Sequence, residues 1–177
     1  MSLIDEFRVT RDGLVIEPAL PSDYDRVGDI TVDAYLAAGH FDDPRHEYMQ
    51  FVRKVADRAA KAEVYVARRD GSTIASMTLV PFGNEYADIA REGELEIRML
   101  SVDPAVQRSG AGRAMVHTAI DRARQLDGVE VVSLTTGGSW VAARALYESM
   151  GFVRCEQRDW YVPNTEILLV VYTLELD

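Results

Sequence analysis

The stretch 100-LSVDPAVQRSGAGRAMVHTAI-120 runs from an apolar strand through a glycine turn into an amphipathic helix. A turn of this kind aims backbone N–H groups at one spot, and the helix behind it adds the positive end of its dipole. Gly110 and Gly112 have no Cβ to keep an anion off the backbone. Taken alone, the pair is equally a tight turn that opens a helix. It is not a Walker A loop, which needs lysine then serine or threonine where this chain has Arg113-Ala114. Nor is it a Rossmann fingerprint, which wants a third small residue where Met115 stands.

Bulk composition limits the alternatives. The chain has 177 residues, 47% hydrophobic and 27% charged, which suits one domain with a substantial core. A net charge of −10 opposes nonspecific nucleic-acid binding, which relies on cations that neutralise phosphates. The single cysteine, Cys155, allows no intrachain disulfide and fits a reducing compartment; it is read as a half-buried thiol on a strand. His40, His46 and His117 lack metal-ligand spacing, so no metal is expected. No apolar run is long enough to span a membrane, and "MSLIDEFRVTRDG" lacks a signal-peptide core, so a cytoplasmic protein is expected.

Outward from the turn, the order reads β-α-α-β-β-β-α-β-α-β-β. "LVIEP" (14–18) is a strand, and Ser22-Asp23 starts a helix to about Ala38. Asp43-Pro44 predicts an N-cap and first helical residue for one helix to about Ala62. "EVYVARR" and "TIASMTLV" flank the hairpin dipeptide Asp70-Gly71. After the aperiodic segment 81–94 come the strand "LEIRMLSV" (95–102), the helix behind the glycines, and the strand 129–136. A short helix, "WVAARALYESM", follows, with Gly151 ending it and Phe152 packing back on Tyr147. The strands "VRCEQRDWYV" and "EILLVVYTLEL" close the chain around Pro163-Asn164. This describes one α/β domain, residues 1–177, with a mixed sheet flanked by helices.

Gln107-x-x-Gly110-x-Gly112 follows Val102-Asp103-Pro104, and Leu146-Tyr147-x-x-x-Gly151-Phe152 comes one strand later. With these residues the sequence resembles the GNAT N-acetyltransferase superfamily. The resemblance is specific over about 95–152 and extends to the order of elements elsewhere. It implies acetyl-CoA as acyl donor, bound by Leu100, Ser101, Val102, Gln107, Arg108, Ser109, Gly110, Ala111, Gly112 and Arg113. It also implies that Tyr147 protonates the leaving thiolate and that Glu96 occupies the position of a basic glutamate. One departure is Trp140, where the family often carries asparagine.

Strand alternation places Glu96, Arg98, Leu100 and Val102 on one face and the apolar Leu95, Ile97 and Met99, with Ser101, on the other. On that pattern Glu96 projects into polar space, either as a base or as an ordinary solvent-side carboxylate. Tyr147 is a phenol donor or a core ring. The acceptor implied is a primary amine of a small molecule or peptide. The first helices and the long loop carry Tyr35, His40, Phe41, Asp42, Asp43, Tyr48, Glu85 and Tyr86, aromatic and acidic groups that suit a cation. The alternative to an enzyme is a catalytically idle acyl-CoA-binding module. The apolar run "ILLVV" (167–171) reads as a strand buried on both faces or as a homodimer strand.

Overall fold

The computed structural model describes residues 8–39, 41–106 and 108–177. They fall into two compact units, one ending at Leu79 and resuming over Met99–Thr118, the other made of Val80–Arg98 and Ala119–Asp177.

The first unit opens with β1 (Arg8–Val9) and β2 (Val15–Pro18), then α1 (Tyr24–Ala37), α2 (Glu47–Arg53), α3 (Val55–Ala59) and β3 (Glu63–Arg69). β4 (Ser72–Pro81) starts in this unit and ends in the other. β1, β2, β3 and β4 pair antiparallel in that order. At the β3–β4 hairpin, Asp70 and Gly71 have φ of 52° and 78°. This is the left-handed pair that a tight two-residue turn requires and that Asp-Gly favours. Helix faces pack on the strands through Val27 and Val55 against Val64 and Val66.

Three predicted boundaries differ here. The first helix begins as a 3-10 turn, Pro21–Asp23, because Asp23 Oδ2 accepts the Leu20 N–H (2.7 Å). Asp43 caps no helix: its Oδ1 accepts the Arg45 N–H at 2.8 Å, and His46 caps α2 by accepting the Tyr48 N–H at Nδ1. The predicted single helix to Ala62 breaks at Lys54 (ψ 60°). Buried Arg58 takes the Val52 carbonyl (3.1 Å) that an unbroken helix would have used, and also donates to Thr78 Oγ1 (3.0 Å).

The second unit begins with the end of β4, the segment 82–93 and the start of β5 (Glu94–Val102). It continues from the middle of α4 (Ala111–Gln125) through β6 (Val131–Gly137), α5 (Val141–Ser149), β7 (Val153–Arg154), β8 (Trp160–Tyr161) and β9 (Leu168–Glu175). β5 runs parallel to β6 over Glu94–Ile97, and β6 pairs antiparallel with β9 along its whole length. β7 and β8 both pair with β9. The predicted strand 153–162 is split by a 3-10 turn, Glu156–Arg158, so Cys155 lies at that turn rather than on a strand. The split turns Arg158 inward, where it forms an ion pair with Glu94.

Candidate active site

In the first unit, β5 ends in Leu100, Ser101 and Val102, beyond the Glu94–Ile97 segment that pairs with β6. Met99 has φ 53°, left-handed backbone that costs a side-chain-bearing residue about 1–2 kcal/mol. Burial nonetheless alternates past this position as the sequence pattern predicts. Ser101 is buried, its hydroxyl donating to the Met99 carbonyl (3.2 Å), while Leu100 and Val102 are half-buried. Asp103 then starts the turn, accepting the Ala105 N–H (2.9 Å) and the Arg26 guanidinium.

The glycine turn follows. Arg108 and Gly110 have φ of 64° and 78°. No heavy atom lies within 4 Å of where a Cβ on Gly110 would be, so the space beside that backbone is open. Ser109 Oγ accepts the Ala111 N–H (3.3 Å), and its carbonyl accepts from Arg69 (3.2 Å). The Ala114 N–H to Gly110 carbonyl bond (3.1 Å) closes the first turn of α4. Gly112 sits inside that turn. Arg108 and Arg113 are exposed. The first turn of a helix has N–H groups with no intrahelical acceptor, here beside open space and two guanidinium-bearing residues. These residues suit a phosphate. Gln107 and His40 lie outside the described residues.

In the second unit, Tyr147 lies two residues before the end of α5. The Phe152 N–H donates to the Tyr147 carbonyl (3.1 Å) and the Gly151 N–H to the Glu148 carbonyl (3.1 Å), with Gly151 at φ 94°. This pair of bonds is a Schellman end, with its accompanying apolar contact between Tyr147 and Phe152 (ring centroids 5.9 Å, edge-on). Tyr147 also packs on Tyr172 at 6.1 Å. Burial pushes its phenol up to about 12. Trp140 stands at the N-cap of α5 without capping it through its side chain.

Of the two readings of Glu96, a base in polar space or an ordinary solvent-side carboxylate, the second does not hold. Glu96 is fully buried, because the segment 82–93, which shows no periodicity in sequence, folds over it. Oε2 accepts three consecutive backbone N–H groups, from Asp88 (2.9 Å), Ile89 (3.1 Å) and Ala90 (3.1 Å). Oε1 is buried and has no partner among the described residues. Burial raises the carboxyl above its usual range, although the Ile89 and Ala90 N–H groups and Arg98 pull the other way. Neighbouring Glu94 behaves oppositely. Its own burial is more than offset by Arg158 and the Arg91 N–H, which hold it below the usual carboxylate range.

Among the described residues no cluster of three His, Cys, Asp or Glu side chains could hold a metal, and no helix is long and apolar enough to cross a membrane.

Residues 25–152 match the family model described as "Acetyltransferase (GNAT) family". A mycothiol acetyltransferase of Sanguibacter keddieii is 32% identical over 126 residues, covering 71% of this chain and 39% of that protein. The N-alpha-acetyltransferase RimI of Mycobacterium tuberculosis is 36% identical over 102 residues, covering 55% and 56% respectively. The chain thus spans only about two fifths to just over half of these curated relatives. A GNAT family acetyltransferase of Elizabethkingia anophelis, solved with acetyl-CoA bound, shares the fold, with a TM-score of 0.61 at 19% identity over 92% of this chain and 98% of that one. The mixed α/β architecture expected from the sequence is therefore the family's.

Proposed function

The chain belongs to the acetyltransferase (GNAT) family, and from that premise we propose that it moves an acetyl group from acetyl-CoA to a primary amine of a small molecule or peptide. The observation that carries the reading is Glu96: a fully buried carboxylate with one oxygen held by three backbone N–H groups and its proton affinity raised by burial. Oε2 already accepts three hydrogen bonds, which leaves Oε1 as the oxygen to take a proton.

Acetyl-CoA brings a thioester whose carbonyl carbon is open to attack. The turn from Arg108 to Arg113, with Gln107, receives its pyrophosphate, and the backbone of Leu100, Ser101 and Val102 receives the pantetheine arm. Glu96 Oε1 takes a proton from the amine. A lysine-like amine has a pKa of about 10.4, so only about one molecule in a thousand is neutral at pH 7. A base whose own affinity is raised narrows that gap. The amine nitrogen bonds to the carbonyl carbon, the C–S bond breaks, and the electron pair leaves on sulfur. Tyr147 donates its hydroxyl proton toward that thiolate. A phenol near 12 facing a thiol of about 8.5 gives a full transfer only uphill, so the donor works mainly as a hydrogen bond while charge builds.

Calorimetry tests the donor half of this reading. Gly112→Glu puts a carboxylate in the first turn of α4 and should abolish acetyl-CoA binding in a protein that remains folded. Undiminished affinity would remove the turn from the site.

A further inference from the structure

We propose that Arg158 is a positioning residue for Glu96, clamping the Asp88–Ala90 turn so that its three N–H groups stay on one carboxylate oxygen. The inference rests on the reading of Glu96 as the base. Arg158 Nη1 donates to Glu94 Oε1 (2.7 Å), and Nη2 donates both to Glu94 Oε2 (3.0 Å) and to the Ile89 carbonyl (2.7 Å). Both side chains are nearly excluded from solvent, at 6% and 8%. Ile89 is the middle residue of the three that donate to Glu96. The Glu94 carboxylate held by Arg158 also accepts the Arg91 N–H (3.1 Å), which fixes the following residue. At the other end, Arg98 donates to the Tyr86 carbonyl (2.7 Å) and pairs with Asp88 (2.9 Å). The turn is thus gripped at both ends by guanidinium groups.

The chemistry requires a fork. One planar guanidinium serves a carboxylate with two N–H groups and still reaches a carbonyl; an ammonium is a single point charge. Nothing in the ion pair alone calls for the Ile89 bond, and that bond is the link to Glu96. Loosening the turn withdraws donors from the charged form of Glu96 and raises its proton affinity. The charged groups around Glu96 are Asp88, which raises that affinity, Arg98, which lowers it, and Arg158 with its partner Glu94.

The test compares wild type, Arg158→Lys, the double variant Glu94→Met with Arg158→Met, and Glu96→Gln. The double variant fills the space without leaving a lone buried charge. Two quantities are read: amide hydrogen exchange at 88–90, and the pH profile of kcat. Both Arg158 variants should speed exchange at those amides by at least about tenfold, as expected when a clamped segment opens locally. Both should also move the ascending limb alkaline by about one unit, with the KM for acetyl-CoA unchanged. Unchanged exchange in both variants overturns the inference, even if the limb moves, because Arg158 would then act only as a charge. Unchanged limbs in both, in a protein whose limb Glu96→Gln removes, overturn it as well. If Glu96→Gln keeps the wild-type limb, the base reading itself fails, and exchange alone decides whether Arg158 holds the turn.

Discussion

Tyr147 of α5 lies against one face of the strands β5, β6 and β9, and Glu96 of β5 projects from the other. Tyr147 packs on Tyr172, whose hydroxyl is further engaged by Arg144 and Glu148 of the same helix. Tyr172 pairs with Leu134, and Leu134 with Ile97, so α5 covers the face that carries Ile97. Glu96, one residue earlier, stands on the other face in line with Ser133 and Thr173. The sheet therefore stands between the Tyr147 ring and the Glu96 carboxylate, and the two side chains do not exchange a proton with each other directly.

Tyr147→Phe should lower kcat by roughly 10²–10⁴, the usual contribution of a positioned acid, and leave acetyl-CoA affinity and Tm near wild type. The ring contacts with Phe152 and Tyr172 survive, and only the hydroxyl is lost. With its phenol near 12, Tyr147 adds no descending limb to the rate profile below about pH 10. Steady-state kinetics with a thermal melt checks both parts; wild-type turnover would make Tyr147 a packing residue.

Glu96→Gln should stabilise the protein while it disables it. Burial lets folded Glu96 hold its proton to higher pH than the unfolded chain does. Its contribution is thus fully favourable below the unfolded pKa and is lost as pH rises through the folded one. A glutamine does not titrate. The variant should melt above wild type at pH 7 and show no gain near pH 4. A lower melting point at pH 7 would mean that the charged carboxylate is structural.

The opposite sign applies to Asp23. Hydrogen bonds from Arg68 to both of its oxygens (2.7 Å each) hold its carboxyl below the usual range. That stability is present above the unfolded pKa of about 3.9 and is lost as pH falls through the lower folded value. Arg68→Met should cost on the order of 2 kcal/mol at neutral pH, since it leaves a buried carboxylate with only part of its partners. The deficit should narrow on acidification. Denaturant unfolding at pH 3 and pH 7 measures the difference.

Gly110→Ala tests the backbone of the turn apart from its charge. Left-handed φ costs an alanine about 1–2 kcal/mol, while the open space around the residue gives the methyl nothing to strike. A modest loss of stability should accompany weaker acetyl-CoA binding, read by calorimetry beside a melt.

The features legible in sequence were those written locally. Asp70-Gly71 made its hairpin, and Gly151-Phe152 ended α5 on Tyr147, because turn and cap chemistry is confined to a few adjacent residues. What sequence missed was decided by distant partners. Arg58 broke the second helix by reaching Val52 and Thr78, and Arg158 split a strand by pairing with Glu94 across 64 positions. The enclosure of Glu96 depended on a segment with no period to read, whose backbone supplies its three donors.

The most direct test of acetyl transfer follows both products together. The protein is incubated with acetyl-CoA and a panel of polyamines, aminoglycosides, amino acids and peptides with free N-termini; free thiol and acetylated amine are then quantified. The account predicts acceptor-dependent thiol release matched one to one by N-acetylated product, and loss of both in Glu96→Gln at neutral pH. Acetyl-CoA that binds but gives no acceptor-dependent thiol with any class of primary amine would contradict it.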